Sequence, residues 1–80
     1  MEPTHRTYRI YPWTARIAGL LRDKRKQMGL SFRDCERETG ISYSMLARIE
    51  RGESGMNVNT LHALSRWCGV SMDAVVEGGP

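Results

Sequence analysis

The sequence predicts an all-α fold: five short helices packed as one compact domain behind an extended N-terminal arm. Three observations support this. Apolar residues recur with the 3.6-residue period of an amphipathic helix from Ile17 to Val76. Glycines and small polar capping residues divide that pattern into five segments. At 80 residues the chain has room for only one domain, which buries ~60% of the surface of its unfolded form.

The first thirteen residues differ from the rest. They contain Pro3 and Pro12 and the alternating run Thr-Tyr-Arg-Ile-Tyr, which disfavours a helix and favours an extended arm or a short edge strand. We therefore divide the chain into an arm (1–13), a helical domain (14–77) and a short tail (78–80).

The first two helices are predicted from their caps and apolar spacing. Thr14 is the expected N-cap of the first, whose apolar positions continue to Met28 and end at Gly29. Ser31 is the expected N-cap of the second, with Asp34 three residues later as in a capping box. The second helix turns Phe32 and Cys35 inward and ends at Thr39 and Gly40.

The other three helices follow the same logic. Ser42 is the expected N-cap of the third, which turns Leu46 and Ile49 inward and ends at Gly52. After a polar loop, Asn59 is the expected N-cap of the fourth, with Leu61, Leu64, Trp67 and Cys68 on its apolar face. Ser71 then begins the last.

Several classes of function find no support. Cys35 and Cys68 lack close metal-ligand or redox spacing, and neither His5 nor His62 has partners at such spacing. We expect two reduced core cysteines, no metal, no cofactor and no catalytic activity. Without a secretory or membrane-spanning pattern, we expect a cytoplasmic protein with no membrane partner.

Charge is distributed unevenly. Residues 1–26 hold seven basic and two acidic side chains, whereas the remainder is slightly acidic and the net charge is +3. A basic end is typical of proteins that contact a polyanion, although most charge runs are simply solvated.

The second and third predicted helices have a specific spacing. Two short helices joined by a tight turn around Gly40 are typical of a helix-turn-helix, in which the second helix enters the major groove of DNA. Cys35, Ile41, Leu46 and Ile49 supply the packing between the two helices.

The run GLSFRDCERETGISYSMLARIERGE, followed by TLHALSRWCGVSMDAVV, resembles the Cro and lambda-repressor group of helix-turn-helix proteins, also called the XRE family. The resemblance covers about residues 17–76. It implies a five-helix lambda-repressor-like domain whose recognition helix occupies residues 42–51.

The resemblance also implies roles for individual residues. Base contacts are expected from Tyr43, Ser44, Ala47 and Arg48. Phosphate contacts are expected from Arg33, Ser42, Arg51, Ser54 and Asn57. Arg25 and Glu50 are expected to form a structural ion pair between the first and third helices.

Three positions depart from the family pattern, one of them Lys24, which takes a place that is often aliphatic. Phe32 stands where many members have a phosphate-gripping glutamine, and Glu36 stands where a small residue is usual. We expect the Glu36 carboxylate to swing out towards Arg33 or Arg37.

Three interpretations of the arm remain open. Arg6 and Arg9 could follow the DNA minor groove or backbone. The arm could instead fold back on the domain or pair with a partner chain as a strand. It could also be a flexible tail, with Trp13 packed on the first helix.

The leading hypothesis is a bacterial or bacteriophage transcriptional regulator, more specifically a repressor, that binds a double-stranded DNA operator sequence-specifically. The resemblance implies a homodimer, at least on DNA, for which Met72, Val75 and Val76 offer an apolar contact. A monomer that binds single or asymmetric sites remains open, because this apolar surface is small. The alternative is a protein-interaction module, an antitoxin or adaptor, that grips a protein partner and binds DNA only weakly.

Overall fold

Five α-helices make up residues 11–78, the part of the chain that the computed structural model describes. They are Pro12–Gln27 (α1), Phe32–Thr39 (α2), Tyr43–Glu50 (α3), Val58–Cys68 (α4) and Met72–Glu77 (α5). This region contains no strand. The predicted all-α class with five helices is confirmed.

The core lies where α1 crosses the other helices. α1 packs against α3, α4 and α5, and α2 packs against α3 and α4. The central side chains are fully buried and come from four helices: Ile17, Leu21, Cys35, Leu46, Ile49 and Leu64. Met56, in the loop before α4, is also buried at 6% exposure and was absent from the predicted core.

Three of the predicted N-caps are confirmed. The Ser31, Ser42 and Ser71 hydroxyls accept hydrogen bonds from backbone N–H groups three residues ahead, at 3.0, 3.2 and 3.0 Å. Asp34 completes the capping box by accepting from the Ser31 N–H at 2.9 Å. The hydrogen bonds between Ser31 and Asp34 hold the pKa of Asp34 below its usual value, and the bond from the Ser31 backbone N–H is the largest cause.

The predicted start of α1 was wrong. Tyr11 is the N-cap and Pro12 the first helical residue, so the helix begins inside the segment that we assigned to the arm. Proline suits this position because its missing N–H would have had no intrahelical partner. Thr14 is a buried residue in the first turn, and its Oγ1 accepts from the Tyr11 N–H at 3.0 Å.

The predicted start of α4 was also wrong. Asn57, not Asn59, is the N-cap, and its Oδ1 accepts from the Thr60 N–H at 2.8 Å. Both asparagines suit a cap chemically. The choice follows from Met56, whose burial places the start of the helix directly after it.

The expected ion pair between Arg25 and Glu50 joins α1 to α3. Nε and one terminal nitrogen of Arg25 donate to the two Glu50 carboxylate oxygens at 2.7 and 3.0 Å. The side chains are only 18% and 7% exposed. The Arg25 guanidinium also lies 4.3 Å from the centroid of the Phe32 ring on α2. One arginine therefore links three helices.

Both cysteines are free thiols; Cys35 is buried and Cys68 is half-buried. Burial raises the pKa of each thiol, which favours its neutral form.

Replacing Glu50 with alanine should destabilise the domain by about 3 kcal/mol, because it leaves the Arg25 charge desolvated without its partner. Urea denaturation followed by circular dichroism measures the loss. Glu53→Ala is the matched control, since the Arg51–Glu53 pair is 55% exposed on both sides. That variant should change stability by less than ~1 kcal/mol. Equal losses in the two variants would contradict a structural role for Glu50.

Candidate nucleic-acid interface

The candidate interface is built on α3, which is held to the domain by one face. Leu46 and Ile49 are fully buried, so their helical positions fix which side of α3 faces the core. The remaining positions at the start of the helix face outward. Ser42 caps that start and is itself exposed.

The residues predicted to contact bases share the outward face of α3. Tyr43, Ser44 and Arg48 are exposed, and Ala47 is half-buried between them. Their spacing of i, i+1, i+4 and i+5 places them in one stripe along the helix. The structure thus brings the four together, while their contact with bases remains a prediction.

Arg33, a predicted phosphate ligand on α2, lies against one of these residues. Its guanidinium carbon is 4.2 Å from the centroid of the Tyr43 ring, a cation–π arrangement. Tyr43 remains 42% exposed. The stacking joins a predicted phosphate contact to a predicted base contact and restricts the orientations of both side chains.

Arg51, another predicted phosphate ligand, already has an anionic partner. Its Nε and a terminal nitrogen donate to the two carboxylate oxygens of Glu53 at 3.0 and 3.1 Å. The hydrogen bond from Arg51 holds the pKa of Glu53 below its ordinary value. Because the pair is exposed to solvent, a phosphate can compete for Arg51 at small cost.

Glu36 on α2 reaches the start of α3, and its expected direction was wrong. Its Oε1 accepts from the backbone N–H of Tyr43 at 3.3 Å, rather than pairing with Arg33 or Arg37. That N–H lies in the first turn of α3, where the helix supplies no acceptor. Arg33 is stacked on Tyr43, and Arg37 is paired with Asp34. The family resemblance identified Glu36 as an unusual residue but did not predict this contact.

Comparisons with known proteins agree with this geometry. A family model described as a helix-turn-helix domain matches residues 16–77, which is most of the chain. The chain belongs to the helix-turn-helix family. The predicted resemblance to the XRE type is thereby confirmed.

Two solved structures resemble this helix-turn-helix domain. An HTH_3-family transcriptional regulator from Vibrio cholerae is 35% identical, with a TM-score of 0.64 over 82% of this chain and 37% of that one. The clp gene regulator ClgR from Corynebacterium glutamicum is 20% identical, with a TM-score of 0.63 over 86% of this chain and 73% of that one. The latter likeness supports the fold alone. The match covers well under half of the length of the Vibrio protein. No curated protein sequence matched.

Two of the predicted phosphate contacts in the loop after α3 have internal roles in this helix-turn-helix domain. Ser54 is buried, and its hydroxyl donates to the Gly55 carbonyl at 2.8 Å, so it does not face outward as its predicted phosphate contact requires. The loop turns inward because Met56 inserts into the core. Asn57 is exposed but caps α4 through its side-chain oxygen. Of the two, only Asn57 remains accessible to a ligand.

The predicted dimer surface on α5 is smaller than expected. Val75 is buried at 2% exposure and belongs to the core, so its assignment to an exposed surface was wrong. Met72 is half-buried against that core, and only Val76 is well exposed, at 44%. Arg16 on α1 donates to the carbonyls of Val75 and Val76, which fixes the end of α5 against α1.

Other expectations concern regions and sites away from α3. Arg6 and Arg9 lie outside the described residues. Within residues 11–78, no group of three or more potential metal ligands comes together. None of the helices there combines the length and apolar character needed to cross a membrane.

Ser42→Ala should lower the stability of the domain by about 1 kcal/mol, because Ser42 Oγ accepts from the Met45 N–H at 3.2 Å and caps α3. Thermal and urea denaturation measure this loss. Ser44→Ala is the control, since the Ser44 hydroxyl accepts from no backbone N–H of α3 and makes only a long contact, 3.5 Å, with the Ser42 hydroxyl. Ser42→Asp should retain the stability. An unchanged midpoint for Ser42→Ala would contradict the cap.

Proposed function

We propose that this protein is a sequence-specific double-stranded DNA-binding transcription regulator that reads the major groove with the helix at residues 42–51. The observation that carries this is the outward stripe of Tyr43, Ser44, Ala47 and Arg48 on a helix whose opposite face is anchored in the core. Family membership and a 35% identical transcriptional regulator support it.

Each residue of the stripe has chemistry that suits a base edge. Arg48 offers a planar fork for the O6 and N7 acceptors of guanine, and Ser44 offers one hydrogen bond. Ala47 fits the methyl group of thymine, and Tyr43 offers both a ring and a hydroxyl. These groups lie within two helical turns and so address a few neighbouring base pairs.

Phosphate contacts hold this helix in register. Arg33, Ser42, Arg51 and Asn57 surround the stripe and are all exposed. Both cations of this set have intramolecular partners that a phosphate would replace: Arg33 is stacked on Tyr43, and Arg51 is paired with Glu53. Arg6 and Arg9 in the N-terminal arm are proposed as further contacts to the backbone or minor groove.

We propose repression as the regulatory outcome and a homodimer on DNA as the bound form. Bound repressors of this kind act by occupying an operator in the cytoplasm of a bacterium or phage-infected cell, without catalysis. A two-fold dimer requires pseudo-palindromic half-sites whose centres lie ~34 Å apart or a multiple of that distance. Val76 and the exposed part of Met72 would contribute to its contact.

One observation favours a second candidate, a protein-binding module such as an antitoxin or adaptor. The Glu36 and Glu53 carboxylates lie close to α3 and reduce the positive potential around it. Selection from a random pool of DNA duplexes at physiological salt separates the two candidates. Enrichment of a defined motif with repeated half-sites supports DNA recognition. A pool without enrichment supports the protein-binding module instead.

Arg48→Ala should weaken binding to the selected duplex by about 1–3 kcal/mol and relax the preference at one base pair, because it removes a bidentate base contact. Fluorescence anisotropy titrations on duplexes changed at each position measure both effects. Arg66→Ala is the control, since it removes the same charge from the exposed side of α4. If Arg48→Ala weakened every duplex equally, Arg48 would be a phosphate contact.

Arg51→Ala should weaken binding to all duplexes and reduce the slope of log K against log salt by about one unit, because it removes one phosphate contact. Glu53→Gln should strengthen binding to all duplexes, since it releases Arg51 from its ion pair. Titrations at several salt concentrations test both variants. An unchanged slope for Arg51→Ala would show that Arg51 does not contact phosphate.

A further inference from the structure

Glu36 places a carboxylate beside the N-terminal end of α3, where the predicted base contacts Tyr43 and Ser44 lie. Its Oε1 holds the backbone N–H of Tyr43 at 3.3 Å, and the side chain is half-buried. Oε2 makes no hydrogen bond to any residue between 11 and 78. One oxygen thus fixes the position of the carboxylate, while the other remains free to accept a hydrogen bond.

This carboxylate is not neutralised by its cationic neighbours. Arg33 is stacked on the Tyr43 ring, and Arg37 is paired with Asp34. None of the ion pairs within the described residues includes Glu36. The carboxylate therefore lies beside Tyr43 without an ion-pair partner in residues 11–78, whereas the other carboxylate near α3, that of Glu53, is paired with Arg51.

The chemistry of a carboxylate limits what it can accept from DNA. It repels phosphates, and because it is only an acceptor it also disfavours the O6 and N7 atoms of guanine. Adenine and cytosine each present an amino donor in the major groove, but adenine places the N7 acceptor beside it. Cytosine alone offers an amino group, N4, with no acceptor on the major-groove edge of its own base.

We propose that Glu36 is a specificity-determining residue of this domain, whose Oε2 accepts a hydrogen bond from the N4 amino group of a cytosine next to the base pair that Tyr43 contacts. The inference rests on the proposed function and deepens it. Oε1 keeps its bond to the Tyr43 N–H, so the backbone of α3 positions the reading atom. The same charge lowers affinity for DNA that lacks this cytosine, because nothing then compensates for its proximity to phosphates.

The test compares wild type, Glu36→Gln and Glu36→Ala by selection from a random duplex pool, followed by anisotropy titrations on the selected duplex. A companion duplex has the proposed C·G pair replaced, and an unrelated duplex reports non-specific binding. Glu38→Gln is the matched control. It removes the same charge from α2, but Glu38 accepts from the Trp67 indole N–H at 2.7 Å, away from α3.

The wild type should discriminate against the replaced pair, and both Glu36 variants should lose roughly tenfold of that discrimination. The same two variants should bind the unrelated duplex roughly twofold more tightly, because one charge that repels phosphates is gone. Glu38→Gln should keep the wild-type discrimination. Thermal melting confirms that each variant is folded, and Glu36→Gln retains an oxygen to accept from the Tyr43 N–H.

Two results would overturn the assignment and are distinguishable. A pool in which wild type enriches no motif overturns the proposed function and, with it, the role of Glu36. An enriched motif that Glu36→Gln and Glu36→Ala select unchanged leaves the proposed function intact and overturns only the assignment of Glu36.

Discussion

The arrangement of the candidate interface depends on one desolvated cation, Arg25. It extends from α1, forms two hydrogen bonds with Glu50 at the end of α3 and lies over the Phe32 ring at the start of α2. α2 and α3 are both short, and helices of eight residues have little stability of their own. Their relative position therefore comes from tertiary contacts, of which this ion pair is the most directional. Phe32 thereby gains a structural role at the start of α2.

Most charged side chains around α3 at the candidate interface have partners within the domain. Arg33 is stacked on Tyr43, Arg51 is paired with Glu53, and the Glu36 carboxylate holds the Tyr43 N–H. Such pairs are weak where solvent reaches them, so a ligand replaces them at small cost. They nevertheless restrict side-chain rotamers before binding, which lowers the entropy lost on association. The proposed interface is thus partly preorganised. Among the cations of α3 and the loop after it, only Arg48 forms no ion pair with a residue between 11 and 78.

The helix caps explain how the loops relate to the site. Ser31 and Ser42 each satisfy an N–H that the following helix leaves free, and the turn between α2 and α3 uses Gly40 at a φ of 80°. This short turn fixes the spacing of the two helices. The longer loop after α3 instead contributes Ser54 and Met56 to the interior. It anchors the C-terminal side of α3 more than it offers side chains to a ligand.

The sequence by itself determined the fold class, the helix-turn-helix, the inward residues of α3 and three of the caps, because these depend on local spacing and local hydrogen bonds. The Arg25–Glu50 pair followed from family resemblance. Only the tertiary structure decided that Ser54 and Val75 are buried, that Asn57 rather than Asn59 begins α4 and that Glu36 reaches Tyr43. In none of these cases does local spacing decide between the alternatives. Packing against distant residues, such as Met56 in the core and Arg16 on the end of α5, selected between them.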